Sequence, residues 1–140
     1  MNLCPCGARG DGSASCSCTA QRLASYRAKL SRALLDRFDL VVAVPRPRAT
    51  ELAAGAAEAS APVAVRVALA REALAILPLR RSADADALLT RAVDRLPLSG
   101  RGRARVARVA RTIAALAGTE EVQAEHVAEA LAYRSPQELA

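Results

Sequence analysis

The first forty-four residues carry apolar positions at two different periods. Thr19 offers a side-chain oxygen to cap a helix through Leu30, with Leu23, Tyr26 or Arg27, and Leu30 on one side. A second short helical turn, Ser31 to Arg37, carries Leu34 and Leu35. The run Phe38-Asp39-Leu40-Val41-Val42-Ala43-Val44 is then short, β-branched and stopped by Pro45, which predicts a buried strand. One strand needs sheet neighbours, and the chain supplies no other convincing one. The N-terminal third therefore reads as a piece of a larger sheet domain.

Pro45-Arg46-Pro47-Arg48 and the Ala/Gly/Ser-rich residues up to Ser60 read as a connector, with a weak helix between Thr50 and Ala59. Helical periodicity takes over beyond it. Ser60 as cap and Pro62 in the first turn predict a helix to about Leu77, with Val63, Val67, Ala70, Leu74 and Leu77 at core spacing. Ser82 caps the next, to about Leu96, with Leu88, Leu89 and Val93 inward. Ser99 caps a third, to Ala117, which Gly118 stops. Thr119-Glu120-Glu121 starts the last, which buries Val122, Val127, Ala130 and Leu131 and closes at Pro136. The organisation expected is mainly α: a sheet-domain fragment over 1–45, a linker over 46–60 and an all-helical bundle over 61–140.

In the third of these helices, Val106, Val109, Ile113 and Leu116 fall within about 80° of arc and form a core stripe. Arg101, Arg105 and Arg108 fall within about 60° on its flank. An Arg in a first turn opposes the helix dipole unless an anion lies nearby, which singles out Arg101.

Composition sharpens this picture in two ways. Alanine supplies much of the 52% hydrophobic content while aromatic residues make up 2%, so helices must pack closely through small side chains. The core is thin for 140 residues, and a metal clasp or a partner would help it. The net charge is +6, almost all of its basic side from Arg, with seven Arg against Asp94 alone between Arg91 and Arg111. Such a block suits phosphates of a nucleotide or a nucleic-acid backbone, or is a solvated helix face. Charges interrupt every apolar run before it reaches membrane-spanning length, and no signal peptide is evident, so the cytoplasm is the expected location.

All four cysteines lie near the N-terminus, as Cys4-Pro5-Cys6 and Cys16-Ser17-Cys18. Two C-x-C pairs joined by a Gly-, Asp- and Ser-rich loop suit one tetrahedral cation, and soft sulfur ligands favour zinc. The loop's glycines permit the positive φ values that turns around a metal demand. Two disulfides or four free thiols are the alternatives. A closed four-sulfur site leaves no open position, so its expected role is a clasp. His126, the only histidine, has no catalytic partner in the sequence and reads as a satisfied or surface helix residue.

Three segments, Met1-Asn2-x-Cys-Pro-Cys-Gly, Tyr26-Arg27-x-Lys29-Leu30-Ser31 and Leu34-Leu35-Asp36-Arg37-Phe38-Asp39-Leu40, resemble the magnesium-chelatase-like AAA+ ATPases, most closely the competence-associated ComM branch. Leu98-Ser99-x-Arg101, Arg105, Val109-Ala110-Arg111-Thr112-Ile113-Ala114 and Glu125-His126-Val127-Ala128-Glu129-Ala130-Leu131-x-Tyr133-Arg134 resemble the same group's helical lid. The resemblance implies the C-terminal end of an α/β AAA+ core with a zinc knuckle, followed by the lid. It implies roles by position. Asn2 resembles the sensor-1 residue that orients the attacking water, Arg37 the arginine finger inserted into a neighbouring subunit's nucleotide site, and Arg101 the sensor-2 Arg of the lid. Asp36 and Asp39 would hold Arg37 and the strand edge in place.

The departures bear on function. No G-x-x-x-x-G-K-[ST] phosphate loop occurs, nor an apolar run ending in Asp-Glu to hold magnesium. ATP and magnesium are thus expected only with a missing upstream core, and the chain alone should not hydrolyse ATP. Arg32-Ala33 replace the Gly-Pro usual before the LLDR segment. The resemblance further implies a hexameric ring acting on branched or single-stranded DNA, or, by the chelatase branch, on a porphyrin. An account of a different class is a free-standing zinc-stabilised nucleic-acid-binding module using Arg91 to Arg111, with Arg105 and Arg108 on phosphates; otherwise these two are solvated or ion-paired with lid acids such as Glu120 and Glu121. A non-functional remnant whose lid still folds is the third.

Overall fold

The computed structural model describes residues 2–9, 15–45, 47–55, 58–76, 80–96 and 98–134, and of Arg32 the backbone only. Among these residues the chain is mainly α. Helix α1 (Ala20–Arg27) starts where Thr19 Oγ1 accepts the Arg22 N–H at 3.3 Å, and ends three residues short of Leu30. The single turn α2 (Arg32–Leu35) is capped by Ser31, whose Oγ accepts the Leu34 N–H at 3.2 Å. Inside the connector, α3 (Ala49–Ala53) begins with the Arg48 N–H donating to the Glu51 carboxylate at 2.7 Å.

The bundle comprises α4 (Ser60–Ile76), α5 (Ala83–Arg95), α6 (Gly100–Leu116) and α7 (Ala124–Ala132). Ser82 and Ser99 cap α5 and α6, their hydroxyls accepting the N–H groups of Ala85 at 3.2 Å and Gly102 at 3.0 Å. Ser60 is the first residue of α4 and not its cap, and Leu77 lies outside the described residues, as does Pro136. Helix α6 ends in a Schellman motif. Gly118 takes φ 71°, and the Thr119 and Gly118 N–H groups bond the carbonyls of Ala114 and Ala115.

The last helix begins later than its sequence suggests. Glu121–Val122 is a short strand, β2, paired in parallel with β1 (Arg80–Arg81), and α7 starts only at Ala124. Val122 is fully buried, so its β-branched side chain serves the core better in an extended bridge than in a first turn. The start of α7 is then set by His126, whose Nδ1 accepts the Gln123 N–H at 3.0 Å. Of the two expectations for His126, a satisfied or a surface residue, the structure shows the first, since it is buried with Nδ1 bonded.

The core centres on α6, where Val106, Val109, Ala110, Ala114 and Ala115 meet Leu89 of α5, Val122, and Val127 and Ala130 of α7. Alanine at so many buried positions brings the helix backbones close, and dispersion between backbones replaces the side-chain volume that the sequence lacks. Ile113 is half-buried at the edge, but Leu116 is 46% exposed and Val67 of α4 36%. Helix α4 joins the core through Ala70, with Leu74 packed against its edge. Arg111 donates to the Leu74 carbonyl at 3.0 Å, satisfying an acceptor in that helix's last turn.

The strand expected over 38–44 does not form. The segment is extended enough to alternate: Asp39 and Val41 turn toward the bundle, while Phe38, Leu40, Val42 and Val44 are 47%, 50%, 60% and 87% exposed. A ladder needs a neighbour, and none of the described residues supplies one. Strand chemistry is present without its sheet.

Candidate functional site

The N-terminal knuckle gathers its four sulfurs. The Sγ atoms of Cys4, Cys6, Cys16 and Cys18 all lie within 4.8 Å of one another, and those of Cys4, Cys6 and Cys16 are 3.3 to 3.7 Å apart. A tetrahedron with zinc–sulfur arms of about 2.3 Å has edges of about 3.8 Å, so the cluster is already near the size of the ion's coordination shell. The separations also far exceed a disulfide bond of about 2.05 Å, and all four thiols are free. Gly7, at φ 81°, turns the chain after the first pair, its N–H bonding the Cys4 carbonyl at 3.1 Å. The Arg9 N–H then donates to Cys4 Sγ at 3.3 Å.

Two of the thiols, Cys6 and Cys16, are shifted in opposite directions. The Ala8 backbone N–H, then the Cys4 and Cys18 thiols, pull Cys6 down to about 6. The Cys18 backbone N–H favours a thiolate at Cys16, but desolvation and three neighbouring sulfurs outweigh it and push that thiol up to about 11. Four sulfurs this close cannot all ionise without a cation among them. The donor set thus fits a soft divalent metal. The knuckle also bears on Asn2, since a Cβ at Gly7 would stand 3.4 Å from Asn2 Nδ2.

A second constellation joins the LLDRFD segment to the bundle. Ser99 donates from Oγ to Asp36 Oδ2 at 2.9 Å while the same oxygen accepts the Gly102 N–H. Arg134, just past α7, donates from Nη2 to Asp36 and from Nη1 to the Phe38 carbonyl at 2.9 Å. Arg105 Nη1 donates to Asp39 Oδ1 at 2.9 Å, and the Val41 N–H bonds the Tyr133 carbonyl at 3.0 Å. The Asp36 carboxyl is held below its usual range, first by the Ser99 hydroxyl, then by Arg134, with the charge of Arg101 adding to the effect.

This arrangement corrects two expectations. Neither Asp36 nor Asp39 pairs directly with Arg37; both bond to the bundle, and Arg37 instead donates to the Ala33 carbonyl at 2.7 Å from an exposed position. Nor does Arg105 pair with Glu120 or Glu121; its guanidinium bonds Asp39 instead. Its side chain is 19% exposed, against open exposure at Arg101 and Arg108. Asn2 is exposed beside the knuckle.

Gly102 and the partners of Arg134 escaped the sequence reading. Gly102 is buried in the first turn of α6, and a Cβ there would meet Arg134 Nη2 at 3.2 Å and Asp36 Oδ1 at 3.5 Å. Two glycines at a helix start, Gly100 and Gly102, were the available signal, because glycine in a helix costs stability unless something must come close. Nothing local announces that Arg134 reaches Asp36, ninety-eight residues away.

Comparison with known proteins places this geometry. The family model "Magnesium chelatase, subunit ChlI" matches residues 1–52, and "Magnesium chelatase, subunit ChlI C-terminal" matches 75–134. Uncharacterized proteins of Mycobacterium bovis and of Mycobacterium tuberculosis H37Rv are each 40% identical over 152 residues, covering 95% of this chain and 30% of theirs. Competence protein ComM of Haemophilus influenzae is 36% identical over 132 residues, 82% of this chain and 26% of its own. No solved structure matches. The chain belongs to the magnesium-chelatase-like family, as the C-terminal region of a ComM-type AAA+ protein. It spans less than a third of the length of these relatives. None of the described helices is long and apolar enough to cross a membrane.

Proposed function

We propose that the chain is the nucleotide-responding end of a ComM-type ATPase. In this reading residues 1–45 complete an AAA+ core, 46–60 link, and 61–140 form the lid. Arg37 is the arginine finger, Asn2 the sensor-1 residue and Arg101 the sensor-2 residue. One observation carries the reading. Arg37 is an exposed cation that meets no carboxylate among the described residues, although it sits between two aspartates, and both of those are anchored elsewhere. A guanidinium left open at the edge of a fixed segment suits charge that develops on a transferred phosphoryl group in a neighbouring subunit.

The row Phe38, Leu40, Val42 and Val44 supports a missing partner of definite kind, the sheet of an upstream core carrying the phosphate loop. The knuckle binds zinc through Cys4, Cys6, Cys16 and Cys18 and holds the turn beside Asn2. In the complete ring, ATP hydrolysis would remodel DNA. The porphyrin alternative lacks the support that the ComM relative gives this one. As a free-standing nucleic-acid module, the chain would lose the middle of its arginine row, since Arg105 is neutralised by Asp39.

Titrating the chain into an intact ComM-type ATPase tests the finger. Excess chain should change ATP turnover, and the Arg37→Ala chain should not. Equal effects from the two remove the assignment.

A further inference from the structure

We propose that Asp36 and Asp39 are positioning residues that make Arg37 a rider on the helical lid, so that the arginine meant for a neighbouring nucleotide moves with the arginine that reads the subunit's own. The inference rests on the finger and sensor roles above and adds their coupling. Five contacts support it, and they lie on both sides of Arg37. Before it, Asp36 is held by Ser99 at the cap of α6 and by Arg134 beyond α7. After it, Arg134 takes the Phe38 carbonyl, Arg105 takes Asp39, and Tyr133 takes the Val41 N–H. The residue between these clamps has little freedom to move apart from α6 and α7.

The chemistry of the clamp suits a rigid joint. Arg134 grips a carboxylate and a carbonyl with two nitrogens of one planar group, which fixes direction as well as distance. Its side chain is 10% exposed and that of Asp36 29%, so solvent screens this pair less than an open surface pair. Gly102 leaves the room in which the two meet, against the first turn of α6. That turn also carries Arg101, whose charge reaches Asp36. A phosphate bound at Arg101 therefore acts on the end of α6 that holds the finger segment. Any rotation of the lid sweeps Arg37 along, which ties the state of one nucleotide site to the readiness of the next.

Two readouts test this on the whole chain. In amide exchange, Val41 should be protected, and Arg134→Gln should speed its exchange by about tenfold or more while Val106 and Ala110 in α6 keep their protection. An unprotected Val41 in the unaltered chain overturns the joint. In the titration into an intact ComM-type ATPase, Arg134→Gln keeps the Arg37 side chain but loosens the segment that carries it. It should weaken the effect on maximal turnover by about fivefold without moving the half-saturating concentration. The exchanged pair Asp39→Arg with Arg105→Asp should recover more of the effect than either change alone. If Arg134→Gln acts like the unaltered chain while Arg37→Ala has lost its effect, the finger stands and the coupling falls. If Arg37→Ala is as effective as the unaltered chain, the finger itself falls and the coupling has nothing to transmit.

Discussion

A methyl group at position 102 would separate two contributions that usually travel together. Ala is favoured over Gly within a helix by about 1 kcal/mol, and the added Cβ would press on Arg134 Nη2, which must give way at a cost of similar size. Gly102→Ala should therefore leave the thermal midpoint within a few degrees of its original value. The Val41 amide should nevertheless exchange faster, which a calorimetric scan beside amide exchange would show. At the knuckle, Cys6 ionises near 6 while Cys16 keeps its proton to about 11, and a metal must displace the latter. Zinc affinity should then rise with pH between about 6 and 11, with protons released on binding, and Cys16→Ser should lose the ion; competition with a chromogenic chelator measures both. The four cysteines were legible as a metal set because their chemistry is local. The partners of Asp36 and Asp39 were not, since charge pairing across sixty or more residues leaves no trace in spacing.

Helix α6 shows how an alanine-rich element makes a core. Ala110 and Ala114 are completely buried, so a larger side chain at either has nowhere to go. Ala110→Leu should destabilise by about 1–3 kcal/mol through overpacking, and Leu89→Ala by about 2–5 kcal/mol through the cavity it leaves, both readable from urea midpoints. Capping serines, helical periodicity and the terminating Gly118 made α5 and α6 readable almost to the residue. The missed feature was the bridge between β1 and β2, two residues long, whose strands carry too little pattern to compete with the helix signal around them. The segment 38–44 misled for the opposite reason. Its pattern is that of a strand, but pairing is a property of neighbours, and none of the described residues provides one.

Across the whole molecule, the joint between segment and lid sets how stability depends on acid. Asp36 has a folded pKa below the unfolded carboxylate value of about 3.9, so its contribution is fully present above that value and is lost as pH falls through the lower folded one. Asp36→Asn should therefore lower stability at neutral pH, and the gap between variant and original should close as pH falls below about 4, in urea titrations across that range. The same joint holds residues 36–39 against Ser99, Arg105 and Arg134. The central claim is that this chain is the responding end of an ATPase and works on a nucleotide cradled elsewhere. Mixing it with the remaining, phosphate-loop-bearing part of a ComM-type relative and measuring ATP hydrolysis tests that claim most directly. The account predicts that neither piece turns over ATP at an enzymatic rate alone, that together they do, and that Arg37→Ala, Arg101→Ala or Asn2→Ala cuts the joint activity by about a hundredfold or more, the size of losing one transition-state donor. Hydrolysis by this chain alone, or a mixture no more active than its parts, would contradict it.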